Sequence, residues 1–193
     1  EDAIKQAQVG AGIWDFASTQ NSEVVLAACG DYQTQEALAT IHLLKSLLPE
    51  AKIRFVNISE LNVLGTSGEY PNALSPTLFT ELFTADKPVL FTFHGYPGTI
   101  KQLLFDRPGT SRFEIRGYTE HGTTTTPFDM LVRNNVSRYQ LAIALLRHTI
   151  KTNPKNAKKA TLAISVCEKK ILSHKNYIVK QGHDPEEIND WVW

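Results

Sequence analysis

The chain has 193 residues, 42% of them hydrophobic, which is enough for one domain with a sizeable core. It has no run of about 18 apolar residues and no secretory signal pattern, so we expect no membrane-spanning helix. The formal net charge is zero, although residues 151–180 hold eight lysines and one glutamate. This lysine-rich segment is typical of a solvated helix face or, alternatively, of a surface that docks onto acidic groups. Few aromatic residues interleave with the lysines, so nucleic acid is not an expected partner.

The first half of the chain predicts a βαβ unit behind an arm. We expect a lead-in arm over residues 1–20, which includes a short helix, and a single α/β domain over residues 21–193. The apolar run at 23–29 predicts a buried strand. Thr34 is a candidate cap for a helix over 35–48, and residues 52–58 predict a second strand parallel to the first.

The middle of the chain predicts the centre of the sheet. Ser75 and Pro76 are typical of a helix start, and this helix leads into the strand at 89–93 (VLFTF). A continuous apolar and β-branched run indicates a strand that is buried on both faces. A turn at 94–98 and the start of a helix follow it, which completes a second strand and helix pair.

The last third of the chain predicts an edge strand and then helices. Residues 112–118 (RFEIRGY) alternate in polarity, which favours an edge strand with one wet face, antiparallel to the others. Thr126 with Asp129 predicts a capped helix start, and longer helices are predicted over 137–150 and 158–181. The expected fold class is therefore a three-layer α/β open sheet, mostly parallel with an antiparallel edge strand. The tail ends in two tryptophans at 191 and 193, which we expect to be packed.

The candidate site is the loop after the central strand. In open α/β sheets, ligands bind outside the carboxyl ends of the strands, where His94, Gly95 and Tyr96 should lie. His94 either reaches a substrate channel or a neighbouring domain, or holds the turn through a hydrogen bond. Free amide groups at the two helix starts, at 94–99 and 123–126, are candidates for holding a phosphate. Further groups that are able to contribute are Thr124, Thr125, Arg116 and Arg133.

Three other reactive side chains have ordinary structural interpretations. Cys29 and Cys167 lie far apart and form no zinc or CxxC pattern, so we predict buried, reduced thiols in a cytoplasmic protein. His174 lies on the apolar stripe of the last long helix, with no second histidine or carboxylate four residues on. It is predicted to be a core or boundary histidine and not a metal ligand.

Distinctive motifs occur along the whole chain. They are 10–14 (GAGIW), 28–31 (ACGD), 54–57 (RFVN), 86–89 (DKPV), 93–97 (FHGYP), 116–118 (RGY), 122–130 (GTTTTPFDM) and 184–188 (DPEEI) with 190–191 (DW). Together they resemble the carboxy-terminal domain of the phosphoketolase family. The similarity covers essentially all 193 residues in order, and its longer motifs are specific to that family.

The resemblance implies a function that the residues alone do not show. Phosphoketolases are transketolase-like lyases that use thiamine diphosphate and Mg²⁺. They split xylulose 5-phosphate or fructose 6-phosphate with inorganic phosphate into acetyl phosphate and an aldose phosphate. The resemblance also implies a homodimer whose N-terminal and middle domains bind the cofactor and are the partners of this domain. We therefore expect no catalytic, cofactor-binding or metal-binding residue here, and an inactive isolated fragment. The domain is expected to serve dimer and domain packing, and part of the substrate entrance.

The sequence leaves two functional hypotheses open. The first is an accessory domain cut from a longer enzyme, which agrees with a chain that begins with Glu1 and not with Met. Such a domain should expose apolar side chains around residues 1–20 and 191–193, where the other domains would pack. The alternative is a stand-alone doubly wound module that binds a phosphate or nucleotide in a deep pocket at the carboxyl ends of its strands. A serine hydrolase is rejected, because residues 65–69 (GTSGE) lack the last glycine of the nucleophile elbow.

Overall fold

The computed structural model describes residues 2–119 and 122–193. Its sheet has five strands in the order β1-β3-β2-β4-β5. The pairs β3-β2, β2-β4 and β4-β5 are parallel, and β1 pairs antiparallel with β3. The strands are β1 (Ala11–Ile13), β2 (Val24–Cys29), β3 (Ile53–Ile58), β4 (Val89–Phe93) and β5 (Phe113–Arg116).

Helices cover both faces of this sheet, which gives three layers. The helices are α1 (Asp2–Val9), α2 (Asp31–Leu47), α3 (Pro76–Phe83), α4 (Pro97–Leu104), α5 (Pro127–Arg133), α6 (Arg138–Thr152), α7 (Ala157–Gln181) and α8 (Glu186–Asn189). Helices α2 and α6 cover one face and α3 and α4 the other, while α7 packs on α6. Among the described residues, no helix combines the length and apolar character needed to cross a membrane.

The buried strands explain why the apolar runs of the sequence are continuous. Successive side chains of a strand point to opposite faces. In β2, Leu26 therefore enters the core under α2 and α6, while Val25 and Ala27 enter the core under α3 and α4. All six residues of β2 and all five of β4 are buried. The three-layer fold class and the interior position of residues 89–93 are confirmed.

The predicted direction of the edge strand at 112–118 was wrong. Strand β5 is parallel to β4, with Val89 opposite Phe113. Alternating polarity identifies a strand with one wet face, but it does not give a direction. Helix α4 carries the chain back across the sheet, so that β5 runs the same way as β4. The antiparallel strand is β1 at the opposite edge, inside the segment that was predicted to be an arm.

The start of α2 was also misplaced. The helix begins at Asp31, with Gly30 as its N-cap at φ 99°. The amide of Thr34 donates to the carbonyl oxygen of Gly30 over 2.9 Å, so Thr34 lies within the first turn. Its hydroxyl is bonded instead to Oδ1 of Asn57 at 3.2 Å. The predicted caps at Ser75 and Thr126 are confirmed, because each hydroxyl accepts a helix amide hydrogen.

Candidate functional site

The predicted site lies where the strand order reverses. Strands β2 and β4 are neighbours, with Cys29 opposite Phe93 at their carboxyl ends. The helix that follows β2 packs on one face of the sheet, and the helix that follows β4 packs on the other. In open α/β sheets, such a divergence opens a crevice between the two strand ends, which is the usual ligand position. His94 follows β4 directly at this crevice.

His94 and Gly30 fit against each other across the crevice. The amide of His94 donates to the carbonyl oxygen of Cys29 at 3.3 Å, and Nδ1 lies 3.4 Å from the same oxygen. A Cβ atom added to Gly30 would lie 2.2 Å from Nδ1 of His94. Only glycine therefore fits under the ring at this φ of 99°. The imidazole is exposed, and within the described residues its Nε2 makes no hydrogen bond.

The ends of β4 and β5 approach each other closely beside His94. The amide of Tyr118 donates to the carbonyl oxygen of Gly95 over 2.9 Å. A Cβ atom on Gly117 would lie only 2.4 Å from that oxygen, so the approach requires glycine. The rings of Tyr96 and Tyr118 pack edge to face with centroids 5.8 Å apart. The structure thus brings His94, Gly95 and Tyr96 together with Tyr118, which the sequence analysis did not single out as a site residue.

Arg116 lies near this edge, but its guanidinium is fully engaged. Nη2 and Nε donate to Oε1 of Glu114 at 2.6 and 2.8 Å. Nη1 donates to the carbonyl oxygens of Asn135 and Gln140 at 2.9 and 3.2 Å. His148, whose Nε2 lies 3.6 Å from Oε2 of Glu114, together with Arg116 lowers the pKa of Glu114 to about 2. Arg116 therefore ties the segment that begins α6 to strand β5.

The segment with Thr124 and Thr125 leads into α5. Thr125 donates to Oδ2 of Asp129 at 2.6 Å, while Thr124 is exposed. The amide of Phe128, at the helix start, donates over 2.9 Å to Oδ2 of Asp184. The chain thus supplies its own carboxylate at this helix N-terminus, which was one of the two candidate positions for a phosphate. Arg133, the other candidate cation here, donates to Oδ2 of Asp129 at 2.7 Å.

Asp184 is also the hydrogen-bond partner of the buried His174. The imidazole is 4% exposed, and its Nε2 lies 2.9 Å from Oδ1 of Asp184. The same oxygen accepts the hydroxyl hydrogen of Thr126 at 2.6 Å. The predicted core position of His174 is confirmed. Its partner was missed, because Asp184 lies ten residues on, beyond the end of α7, where no helical spacing points to it.

The two cysteines are buried and free, as predicted. Burial raises the pKa of each thiol, Cys29 and Cys167, to about 11, which keeps both protonated and poorly nucleophilic. In the described part of the chain, no group of three or more histidine, cysteine, aspartate or glutamate side chains is placed to hold a metal ion. The site therefore consists of an exposed imidazole, two tyrosines and backbone amides, which are suited to contact and hydrogen bonding.

Comparison with known proteins gives the family. The model of the family described as "XFP C-terminal domain" matches residues 1–193. A probable phosphoketolase of Rhodopseudomonas palustris (strain TIE-1) is 45% identical over 193 residues, covering 99% of this chain and 24% of the relative. A probable phosphoketolase of Bradyrhizobium diazoefficiens is 42% identical over 197 residues, again covering 24% of its length. The chain thus spans about a quarter of the length of these relatives.

The fold has neighbours among solved structures. Transketolase from Leishmania mexicana superposes with a TM-score of 0.55 over 78% of this chain and 19% of its own, at 13% sequence identity. A transketolase from Pichia stipitis in complex with sedoheptulose 7-phosphate gives a TM-score of 0.52 at 13% identity over 80% of this chain and 19% of its own. At such identities the similarity concerns the fold alone. With the family match over its whole length, the chain belongs to the phosphoketolase (XFP) C-terminal domain family.

Proposed function

We propose that this domain is part of a phosphoketolase that splits xylulose 5-phosphate, fructose 6-phosphate or both with inorganic phosphate. The products are acetyl phosphate and an aldose phosphate. The observation that carries this proposal is the family match over residues 1–193, with relatives of about four times the length. It favours an accessory domain over the alternative, a stand-alone phosphate- or nucleotide-binding module.

The proposed cofactors are thiamine diphosphate and Mg²⁺, bound outside this chain. A magnesium diphosphate site needs closely spaced oxygen ligands. The carboxylate that comes closest to such a motif in the sequence is Asp31, which follows Gly30. It forms part of the first turn of α2, and the described residues contain no metal-binding cluster around it. The described residues of this chain therefore do not fit the cofactor. The N-terminal and middle domains of the same enzyme are proposed to hold it, within a homodimer.

The proposed role of this domain is packing and contribution to the substrate entrance. Apolar side chains are exposed near both ends of the chain, where Phe16 is 56% and Trp193 is 47% exposed. Their ring centroids lie 5.5 Å apart, so the two rings form one patch. Nζ of Lys45 lies over this patch, 4.4 Å from the ring centroid of Trp193. Such a patch is typical of a surface that another domain covers. We further propose a cytoplasmic location, which the two free thiols support.

The reaction is tested by comparing the full-length enzyme with the 193-residue chain. The full-length enzyme should form acetyl phosphate from at least one of the two sugar phosphates and inorganic phosphate, measured as the hydroxamate. The chain alone should form none, because its residues do not fit the cofactor. Acetyl phosphate formed by the chain alone would contradict the accessory role. A full-length enzyme inactive on both sugars would contradict the proposed reaction.

The substrate-entrance role predicts an effect of His94. In the full-length enzyme, His94→Ala should lower kcat/KM about tenfold, mostly through KM, because a hydrogen bond to a ligand contributes roughly 1 kcal/mol or more. The matched control is Gln102→Ala, since Gln102 is exposed on α4, away from the crevice. Steady-state kinetics with varied sugar phosphate give both constants. Unchanged kinetics in His94→Ala would assign His94 to holding the turn alone.

A further inference from the structure

A half-open cavity lies at the opposite end of the sheet from His94. Its volume is about 390 Å³, and it is lined by α3, the loop before it and the turn at residues 106–112. The lining residues Thr84 and Ala85 precede β4, and Arg112 precedes β5. The cavity is therefore at the amino ends of the strands, whereas the predicted site is at their carboxyl ends. Two arginines line it, Arg107 and Arg112.

Arg107 is a buried cation, and none of the described carboxylates forms an ion pair with it. It is 6% exposed, and its Nε donates to the carbonyl oxygen of Leu64 at 3.1 Å. Nη2 donates to the carbonyl oxygens of Val63, Gly65 and Leu74. Within the described residues, the remaining nitrogen, Nη1, makes no hydrogen bond. Burial lowers the pKa of Arg107, and no acidic group offsets this effect.

Arg112 is the second cation of the cavity. Its Nη1 and Nη2 donate to the carbonyl oxygens of Phe83 and Thr84 at 2.9 and 2.7 Å, at the end of α3. Its Nε is buried and has no hydrogen-bond partner among the described residues. The nearby carboxylate of Asp86 is bonded to Lys87 at 3.0 Å. Both guanidinium groups are thus held by backbone carbonyls, which fix their positions, and among the described residues neither forms an ion pair, although Asp86 acts on Arg112 from a distance.

The rest of the lining suits the body of a small organic molecule. Leu74 and Phe79 supply apolar walls, and the guanidinium of Arg107 lies 4.6 Å from the ring centroid of Phe79. Thr80 adds a hydroxyl on an exposed turn of α3. The one carboxylate of the lining, Asp106, is exposed and forms no ion pair with a described residue.

We propose that this cavity binds a small organic phosphate. A phosphate monoester carries roughly −1.5 to −2 charges at neutral pH, which matches the two guanidinium charges. Guanidinium groups donate to phosphate oxygens, and Nη1 of Arg107, which makes no hydrogen bond with the described residues, supplies a donor. The arginines are already desolvated and fixed, so binding costs little further ordering. The organic part packs against Phe79 and Leu74.

The proposal is tested by titrating the full-length protein with phenyl phosphate in a calorimeter. Thr80→Glu places a negative charge in the lining, and Thr80→Lys places a positive charge there with a side chain of similar length. The matched controls are Thr77→Glu and Thr77→Lys, because Thr77 is exposed on the same helix but does not line the cavity. We expect T80E to bind phenyl phosphate about tenfold more weakly and T80K at least as tightly as the unmodified protein, from Coulomb interaction with the ligand. Both Thr77 variants should match the unmodified protein.

Opposite results for T80E and T80K separate charge from steric blocking. The proposal would be overturned if T80E and T80K lost affinity for phenyl phosphate equally, or if T80E kept the affinity of the unmodified protein. Absence of saturable binding to the unmodified protein would also overturn it. Benzyl alcohol is the neutral control ligand. If benzyl alcohol bound as tightly as phenyl phosphate, the phosphate assignment would be overturned. A crystal structure with phenyl phosphate should place the phosphate within about 3 Å of Arg107 or Arg112. The titration measures binding and not turnover, so its failure leaves the proposed reaction unaffected.

Discussion

Replacing Glu36 by alanine is expected to lower the free energy of unfolding of the chain by about 3–5 kcal/mol, because it strands a buried positive charge. Glu36 and Arg138 are 3% and 6% exposed, and join α2 to α6. Oε1 of Glu36 accepts from Nη2 of Arg138 at 2.6 Å. Oε2 also accepts the backbone amide hydrogen of Arg138 at 2.5 Å. Urea denaturation followed by circular dichroism measures the change.

The double variant Glu36→Leu/Arg138→Met is the decisive comparison. Replacing both partners of a buried ion pair with apolar side chains of similar volume is often nearly neutral. The double variant should therefore be more stable than Glu36→Ala, although the amide of Arg138 loses its acceptor. If Glu36→Ala lies within about 1 kcal/mol of the unmodified chain, water must reach Arg138.

Replacing Asp184 by alanine is expected to cost about 3 kcal/mol, since each buried donor left without a partner costs roughly 1–3 kcal/mol. Asp184 is 3% exposed, and among the described residues its carboxylate has three partners on two parts of the chain, the start of α5 and α7. These are Nε2 of His174 on α7, the hydroxyl of Thr126 and the amide of Phe128 on α5. The variant should also expose the tail to proteolysis, because this carboxylate holds residues 183–185 against α5 and α7.

Asp190→Ala is the matched control for the tail. Asp190 is exposed, and it forms no ion pair with the described residues. Its replacement should change stability by less than about 0.5 kcal/mol. The midpoint of urea unfolding and the rate of limited proteolysis should move together in Asp184→Ala and stay constant in Asp190→Ala. Similar behaviour of the two variants would show that the Asp184 contacts add little to stability.

The candidate site shows how far local sequence patterns reach. The pattern of residues 89–98 placed His94, Gly95 and Tyr96 at the carboxyl edge of the sheet, because a buried strand followed by a turn has few other arrangements. It did not reveal that Tyr118 packs on Tyr96, since that contact joins the segments that follow β4 and β5, which meet only because these strands pair in the sheet. The roles of His94 and Thr124 as contact residues stay predictions.

The cation-lined cavity was not predictable from the sequence. Residues 106–109 (DRPG) read as an ordinary turn, and nothing local to them shows that the arginine is buried. Arg107 is buried because the loop before α3 turns four backbone carbonyls toward it. The guanidinium donates hydrogen bonds to these carbonyl oxygens, because backbone carbonyls in a buried loop need donors. Only the folded chain brings these groups together.

The sequence by itself determined the order of β2 to β5 and of the longer helices between and after them, the burial of β2 and β4 on both faces, and the family. These properties follow from periodicity, helix caps and motifs, which are local and visible in the chain. The tertiary structure alone decided that β5 runs parallel and that β1 forms the antiparallel edge. It also decided which charges pair across the core. Strand direction and charge pairing depend on contacts between distant residues, and local patterns carry no information about such contacts.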